Sequence, residues 1–148
     1  MNYHLVILKK PYLELILSGR KTIESRLTNG RTTAFGRVEA GDKLFLKVSG
    51  GPVCATATAA DVEYYPHLTP ETVVQIRRQH GAEIGGDDAV WNELMDRKCG
   101  FLVWLGDVER IEPVVIEKKD WRAWVVLKPG KDFGLLEQMK ALKGSSGA

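Results

Sequence analysis

The stretch Gly19-Arg20-Lys21-Thr22-Ile23-Glu24-Ser25-Arg26 decides how this chain is read. Just upstream, Pro11 suits a first helical turn, Leu13, Ile16 and Leu17 recur at helical spacing, and Gly19 supplies the left-handed residue that ends a helix. Downstream, Thr22, Glu24 and Arg26 alternate with Ile23, Ser25 and Leu27, the two-residue period of a half-buried strand. A helix is therefore expected to turn sharply at Ser18-Gly19-Arg20 into a strand with one polar face. On that face Glu24 and Arg26 stand about 6.6 Å apart and can share a ligand. Lys21 has the opposite parity, and its place in the turn is expected to let it swing to the same side.

Working outward, His4 to Leu8 reads as a first strand and Asn29 to Arg37 as a mobile basic loop. Lys43 to Val48 and Val53 to Val62 read as a hairpin around Gly50-Gly51-Pro52. Thr69-Pro70-Glu71 is a helix start, with Gly81 as its expected end, and a second helix is expected from Asp88 to Lys98. Phe101 to Arg110 and Val114 to Leu127 read as two more strands, the second interrupted by the polar stretch Glu117 to Asp120, followed by a break at Pro129-Gly130. Residues 1–130 are thus expected to form the domain, and residues 131–148 a terminal helix, Leu135 to Leu142, with a flexible tail. Five or six short strands with two or three inserted helices, lacking strict βαβ alternation, predict an α+β fold or a small barrel.

A chain of 148 residues suits one domain, and 44% hydrophobic with 27% charged residues is ordinary globular usage. No apolar run approaches the roughly 18 residues a membrane span needs, and no secretory leader is visible at the N-terminus, so the expected address is cytoplasmic. Cys54 and Cys99 lack a CxxC partner and read as reduced, buried thiols. His4, His67 and His80 lack ligand spacing, so they read as surface or turn residues and no metal site is expected. Net charge is only +2, but its distribution is uneven. Residues 1–50 carry nine basic against four acidic residues, and residues 51–100 four against eight, so a polyanion should meet the N-terminal side.

The quoted run resembles the GxKxxExR signature of the ASCH domain, the module named for activating signal cointegrator homology and related to the PUA superfamily. The likeness spans about residues 4 to 127. It includes the motif's place between a first helix and a second strand, a Gly-Asp-Lys turn at residues 41–43, and a late strand bearing tryptophan. The resemblance implies a PUA-like small β-barrel whose cleft around the motif takes RNA or a nucleotide-like ligand. Lys21, Thr22, Glu24 and Arg26 would contact it, since ammonium and guanidinium donors suit phosphate or carbonyl oxygen and a carboxylate suits an amide or base edge. Arg31 and Arg37 flank the loop as candidate phosphate grips. Trp121, in the polar stretch Lys118 to Arg122, is the preferred stacking face among several aromatics. The bland alternative is a solvated Glu24–Arg26 pair with Lys21 at a helix C-terminus.

Two further readings stay open. Members related to this fold include a branch that hydrolyses acetylated cytidine and others proposed as ribonucleases. In the amidohydrolase branch a threonine nucleophile follows the lysine by three positions. Glu24 occupies that place here, so the nucleophile does not carry over. In an enzyme, Glu24 would act as general base and Lys21 would stabilise an oxyanion, helped by a second acid at Asp61 or Glu63. The remaining reading is a protein partner contacting helices within residues 69–98. No phosphate-loop or dinucleotide fingerprint is present, so no cofactor is expected.

Overall fold

The computed structural model describes residues 1–116 and 122–128. The N-terminal apolar run forms β1 (Tyr3–Leu8), and Pro11 lies in the first turn of α1 (Lys10–Leu17). Gly19, at φ +81°, then turns the chain toward β2 (Ile23–Thr28), a conformation glycine adopts without steric cost. The Gly41-Asp42 turn leads into β3 (Lys43–Val48), which folds back onto β4 (Val53–Tyr65). Two helices follow, α2 (Pro70–Ile84) and α3 (Asp88–Leu94), capped at their N-termini by the side chains of Thr69 and Asp87. The long β5 (Cys99–Val114) and the short β6 (Trp124–Leu127) complete the described elements.

The strands form one mixed sheet in the order β2-β5-β4-β3-β1-β6, with β1 parallel to β3 and every other pair antiparallel. The sheet curls into a half-barrel, giving the α+β architecture expected from the sequence. Its interior holds Val6, Leu8, Leu44, Leu46, Phe101 and Val103, with Leu13 and Ile16 of α1 packed among them. On the opposite face Ile23, Leu27 and Leu102 pack against Val73, Ile76, Ile84 and Trp91 of the two later helices. The two-residue period of β2 thus divides its duties. Ile23 and Leu27 anchor α2 and α3, and Glu24 and Arg26 turn toward the concave side.

Several boundaries differ from those expected. Helix α2 runs past Gly81 to Ile84, because a glycine inside a helix costs only about 1 kcal/mol against alanine, and the buried Val73, Ile76 and Ile84 hold the helix to the sheet. Helix α3 ends at Leu94, short of Lys98. The Phe101 strand extends over Cys99–Val114, and of the interrupted strand expected from Val114 to Leu127 the described residues show Val114 as the end of β5 and Trp124–Leu127 as β6, the polar stretch at 117–120 lying outside them. The loop at residues 29–37 is pinned: Ala34 is buried, Phe35 meets Tyr64 edge-on, and the Tyr64 hydroxyl donates to the Val38 carbonyl. His4, expected at the surface, is completely buried. Its parity with Val6 and Leu8 carries it to the interior. Cys99 is buried and Cys54 half-buried, both free thiols. The expected terminal helix and tail lie outside the described residues.

Candidate ligand cleft

Curling brings β2, one edge of the sheet, opposite the strands of the other edge. Between them, below α1 and beside the α2–α3 junction, lies a cleft of about 400 Å³. Lys21, Glu24 and Arg26 line it together with Lys9, Tyr12 and Trp91. The cleft is charged on one side and apolar on the other, where Ile84, Val90 and Leu94 face in.

The three motif residues form one buried network. Lys21, 3% exposed, donates from Nζ to the carbonyls of Ile23 (2.8 Å) and Ile84 (2.5 Å) and lies 3.3 Å from Glu24 Oε1. All three ammonium protons therefore have acceptors, and the Tyr12 ring centroid lies 5.6 Å away. Glu24 Oε1 also accepts from the Ser25 amide, and Oε2 accepts from Arg26 Nη2 at 3.0 Å. Arg26 reaches across the seam, donating from Nη2 to the Ile7 carbonyl and from Nη1 to the Ala123 carbonyl. Its guanidinium lies over the Trp124 ring, 5.3 Å from the centroid.

Burial pulls the Lys21 ammonium below its ordinary value, and the Glu24 charge offsets only part of that pull. Burial pushes the Glu24 carboxyl upward, but Arg26 and Lys21 outweigh it and hold the group below 4.5. Glu24 is consequently a carboxylate at neutral pH, and a weakly basic one. With three donors already bound, it retains one lone-pair position on Oε2. Arg26 retains its Nε–H and one Nη1–H without partners among the described residues. The cleft thus offers one anionic acceptor beside two cationic donors.

The other expected site residues lie elsewhere. Thr22 is exposed and outside the cleft lining, its amide donating to the Glu83 carbonyl and its carbonyl accepting from Leu105. Arg31 lies over the Phe35 ring at 4.9 Å, and the Arg37 carbonyl accepts from Asn2; neither lines the cleft. Trp121 lies outside the described residues. Asp61 and Glu63 are exposed, and the ladder gives them the wrong parity: Glu24 is level with Val103 and Val62, so both acids point to the opposite face. Among the described residues, no group of three or more His, Cys, Asp or Glu side chains is placed to hold a metal, and no helix is long and apolar enough to cross a membrane.

Sequence reasoning missed Tyr12, Trp91, the Ile84 carbonyl and Trp124. Nothing local marks the first three, which reach the cleft only through the packing of α1, α2 and α3. Trp124 was visible as an aromatic in a late strand, but its partners come from β1, β2 and β5.

Comparison with known proteins places this geometry in context. The ASCH domain family matches residues 6–129. The crystal structure of ASCH from Zymomonas mobilis is similar with a TM-score of 0.67 at 13% identity, covering 91% of this chain and 94% of that one. A serine-to-alanine variant of that protein gives 0.68 at 14% identity, covering 92% and 95%. No curated protein matches the sequence. At such identities the structural likeness is one of fold, consistent with a PUA-like half-barrel.

Proposed function

The chain belongs to the ASCH domain family, and on that premise we propose that its cleft binds single-stranded RNA through one inserted nucleotide unit, without turning it over. The observation carrying this reading is the Glu24–Arg26 pair at the charged side of a cleft of about 400 Å³, with one acceptor and two donor positions still unspent. That volume is within the range of small-molecule sites, and a nucleobase edge presents donors and acceptors side by side. Tyr12 and Trp91 supply aromatic walls. Lys9 at the cleft and the basic balance of residues 1–50 favour a phosphate backbone outside it. Binding is favoured over hydrolysis because both candidate catalytic groups are engaged: the Lys21 donors are taken, and a carboxylate held below its ordinary value is a poor general base near neutral pH.

Binding of a short single-stranded RNA, followed by fluorescence anisotropy, should weaken with salt. Lys9→Ala should lower the slope of log affinity against log salt by about 0.7, one phosphate contact. Arg26→Ala should lower affinity about tenfold or more at every salt concentration, the loss expected for a charged hydrogen-bond donor. Unchanged affinity in Arg26→Ala would remove the cleft from recognition. Wild-type protein should leave both the RNA and acetylated cytidine intact; turnover that Glu24→Gln abolishes would replace the binding reading with a catalytic one.

A further inference from the structure

Behind the cleft lies a second polar group that the reading above does not use. His4, fully buried on β1, places Nε2 2.8 Å from Asp42 Oδ2, and its Nδ1 lies 3.1 Å from the indole Nε1 of Trp124. Asp42 is itself 1% exposed and accepts from the amides of Asn2 and Glu39. An indole N–H can only donate, so Nδ1 must be the acceptor and Nε2 must carry the proton. One tautomer of neutral histidine therefore satisfies both neighbours. The Trp124 ring that this bond orients is the ring beneath Arg26, and Arg26 bonds Glu24.

We propose that His4 is a positioning residue of the cleft: backed by Asp42, it fixes the indole of Trp124, which in turn sets the plane of the Arg26 guanidinium against Glu24. This rests on the binding reading for its purpose, but not for its physics. Three of the four links are hydrogen bonds with distinct donors and acceptors, and the fourth is a cation over a ring face, so the arrangement has a defined direction from Asp42 to Glu24.

The arrangement has a sign with respect to pH. A proton added at Nδ1 removes the acceptor that the Trp124 N–H has among the described residues and sets two N–H groups facing each other. Burial holds the His4 imidazole below 6.5 despite the pull of Asp42. The neutral, positioning form is therefore complete above pH 6.5 and is lost as pH falls through the lower folded value. The charged and titratable groups around this stack are Asp42 from the turn before β3, Arg26 and Glu24 from β2, and Tyr64 from β4 with Glu39 near Asp42. The register partners of His4, Leu44 on β3 and Val126 on β6, carry no charge.

The test uses the full chain without ligand. Indole N–H resonances and the exchange of the Arg26 guanidinium protons are followed by NMR from about pH 7.5 to about pH 4.5, a span covering the histidine range. The Trp124 indole resonance should shift with the midpoint of the His4 ring. Below that midpoint the protection of the Arg26 protons, taken relative to the intrinsic exchange rate at each pH, should fall about tenfold, the change produced by losing one hydrogen bond near the upper end of its ordinary net worth. In Trp124→Phe, which keeps a ring face but lacks the N–H, Arg26 exchange should no longer follow the His4 titration. In His4→Gln that protection should show no step across the histidine range. Titration of His4 with Trp124 and Arg26 unmoved would overturn the proposal, as would a His4→Gln variant that is less stable yet has unaltered Arg26 exchange. If the relay is observed but RNA does not bind, the binding reading alone fails.

Discussion

Replacing Glu24 with alanine should cost about 3–5 kcal/mol of folding free energy, the loss typical when one member of a buried ionic group is removed. The carboxylate is 7% exposed and is the anionic partner of both Lys21 and Arg26. Its removal leaves the Lys21 ammonium, 3% exposed, with two carbonyl oxygens and the Tyr12 ring face but no anion among the described residues. Urea unfolding should show a lowered midpoint at unchanged slope. Glu24→Gln should lose less, since an amide oxygen can still accept from Lys21 or Ser25. The acid limb provides a second check. Because the folded-state value of Glu24 lies below 4.5, its contribution is present above that pH and lost as pH falls through the folded value, and Glu24→Gln should flatten this part of the profile. A loss below about 1 kcal/mol for the alanine variant would mean that the pair behaves as a hydrated surface pair.

The second large effect is expected at Gly100. An added Cβ would stand 2.3 Å from the Arg26 carbonyl oxygen and 2.8 Å from Leu27 Cα, both backbone atoms of the neighbouring strand. Gly100 is the register partner of Leu27 on β2 and of Tyr65 on β4, so β5 is held on both sides and β2 would have to move. Gly100→Ala should therefore lose more than about 4 kcal/mol, in the exceptional range for one substitution, and any folded fraction should fail to bind RNA because β2 carries Glu24 and Arg26. Gly30→Ala is the control: nothing lies within 4 Å of the point where its methyl group would stand, and the change should stay within about 0.5 kcal/mol. A Gly100→Ala protein as stable as the control would show that β2 can yield at this point.

The parts of this fold written in local chemistry were legible in the sequence. The Pro11 start and Gly19 exit of α1, the Thr69 cap of α2 and the alternation along β2 depend on neighbours a few residues away, and each is found where expected. The parallel pairing of β1 with β3 and the curling that opposes the sheet edges depend on distant segments and leave no such mark. Gly81 misled because a helix stop and a tolerated interior glycine look alike until the buried face of α2 is known. The polar face of β2 was correctly paired in parity. The depth of its burial was not legible, because what covers Glu24 comes from α1, α2 and β6. His4 had a readable signal after all: it falls in phase with Val6 and Leu8, and a histidine on the apolar phase of a strand needs partners at both ring nitrogens.

The seam crossed by Arg26 also bears on how the protein behaves among copies of itself. Among the described residues β2 and β6 are the two ends of the sheet, and open sheet ends are where one molecule can recruit a strand from another. At the seam the backbone is answered from within: the Ser25 amide on β2 donates to Glu24, and the carbonyls of Ile7 on β1 and of Ala123, just before β6, accept from Arg26. Inward-pointing charges at a sheet edge discourage pairing, since an incoming strand would have to displace them and strand them without water. Variants that neutralise the residues shaping the cleft are therefore expected to aggregate more readily, a change that light scattering would report beside any loss of binding.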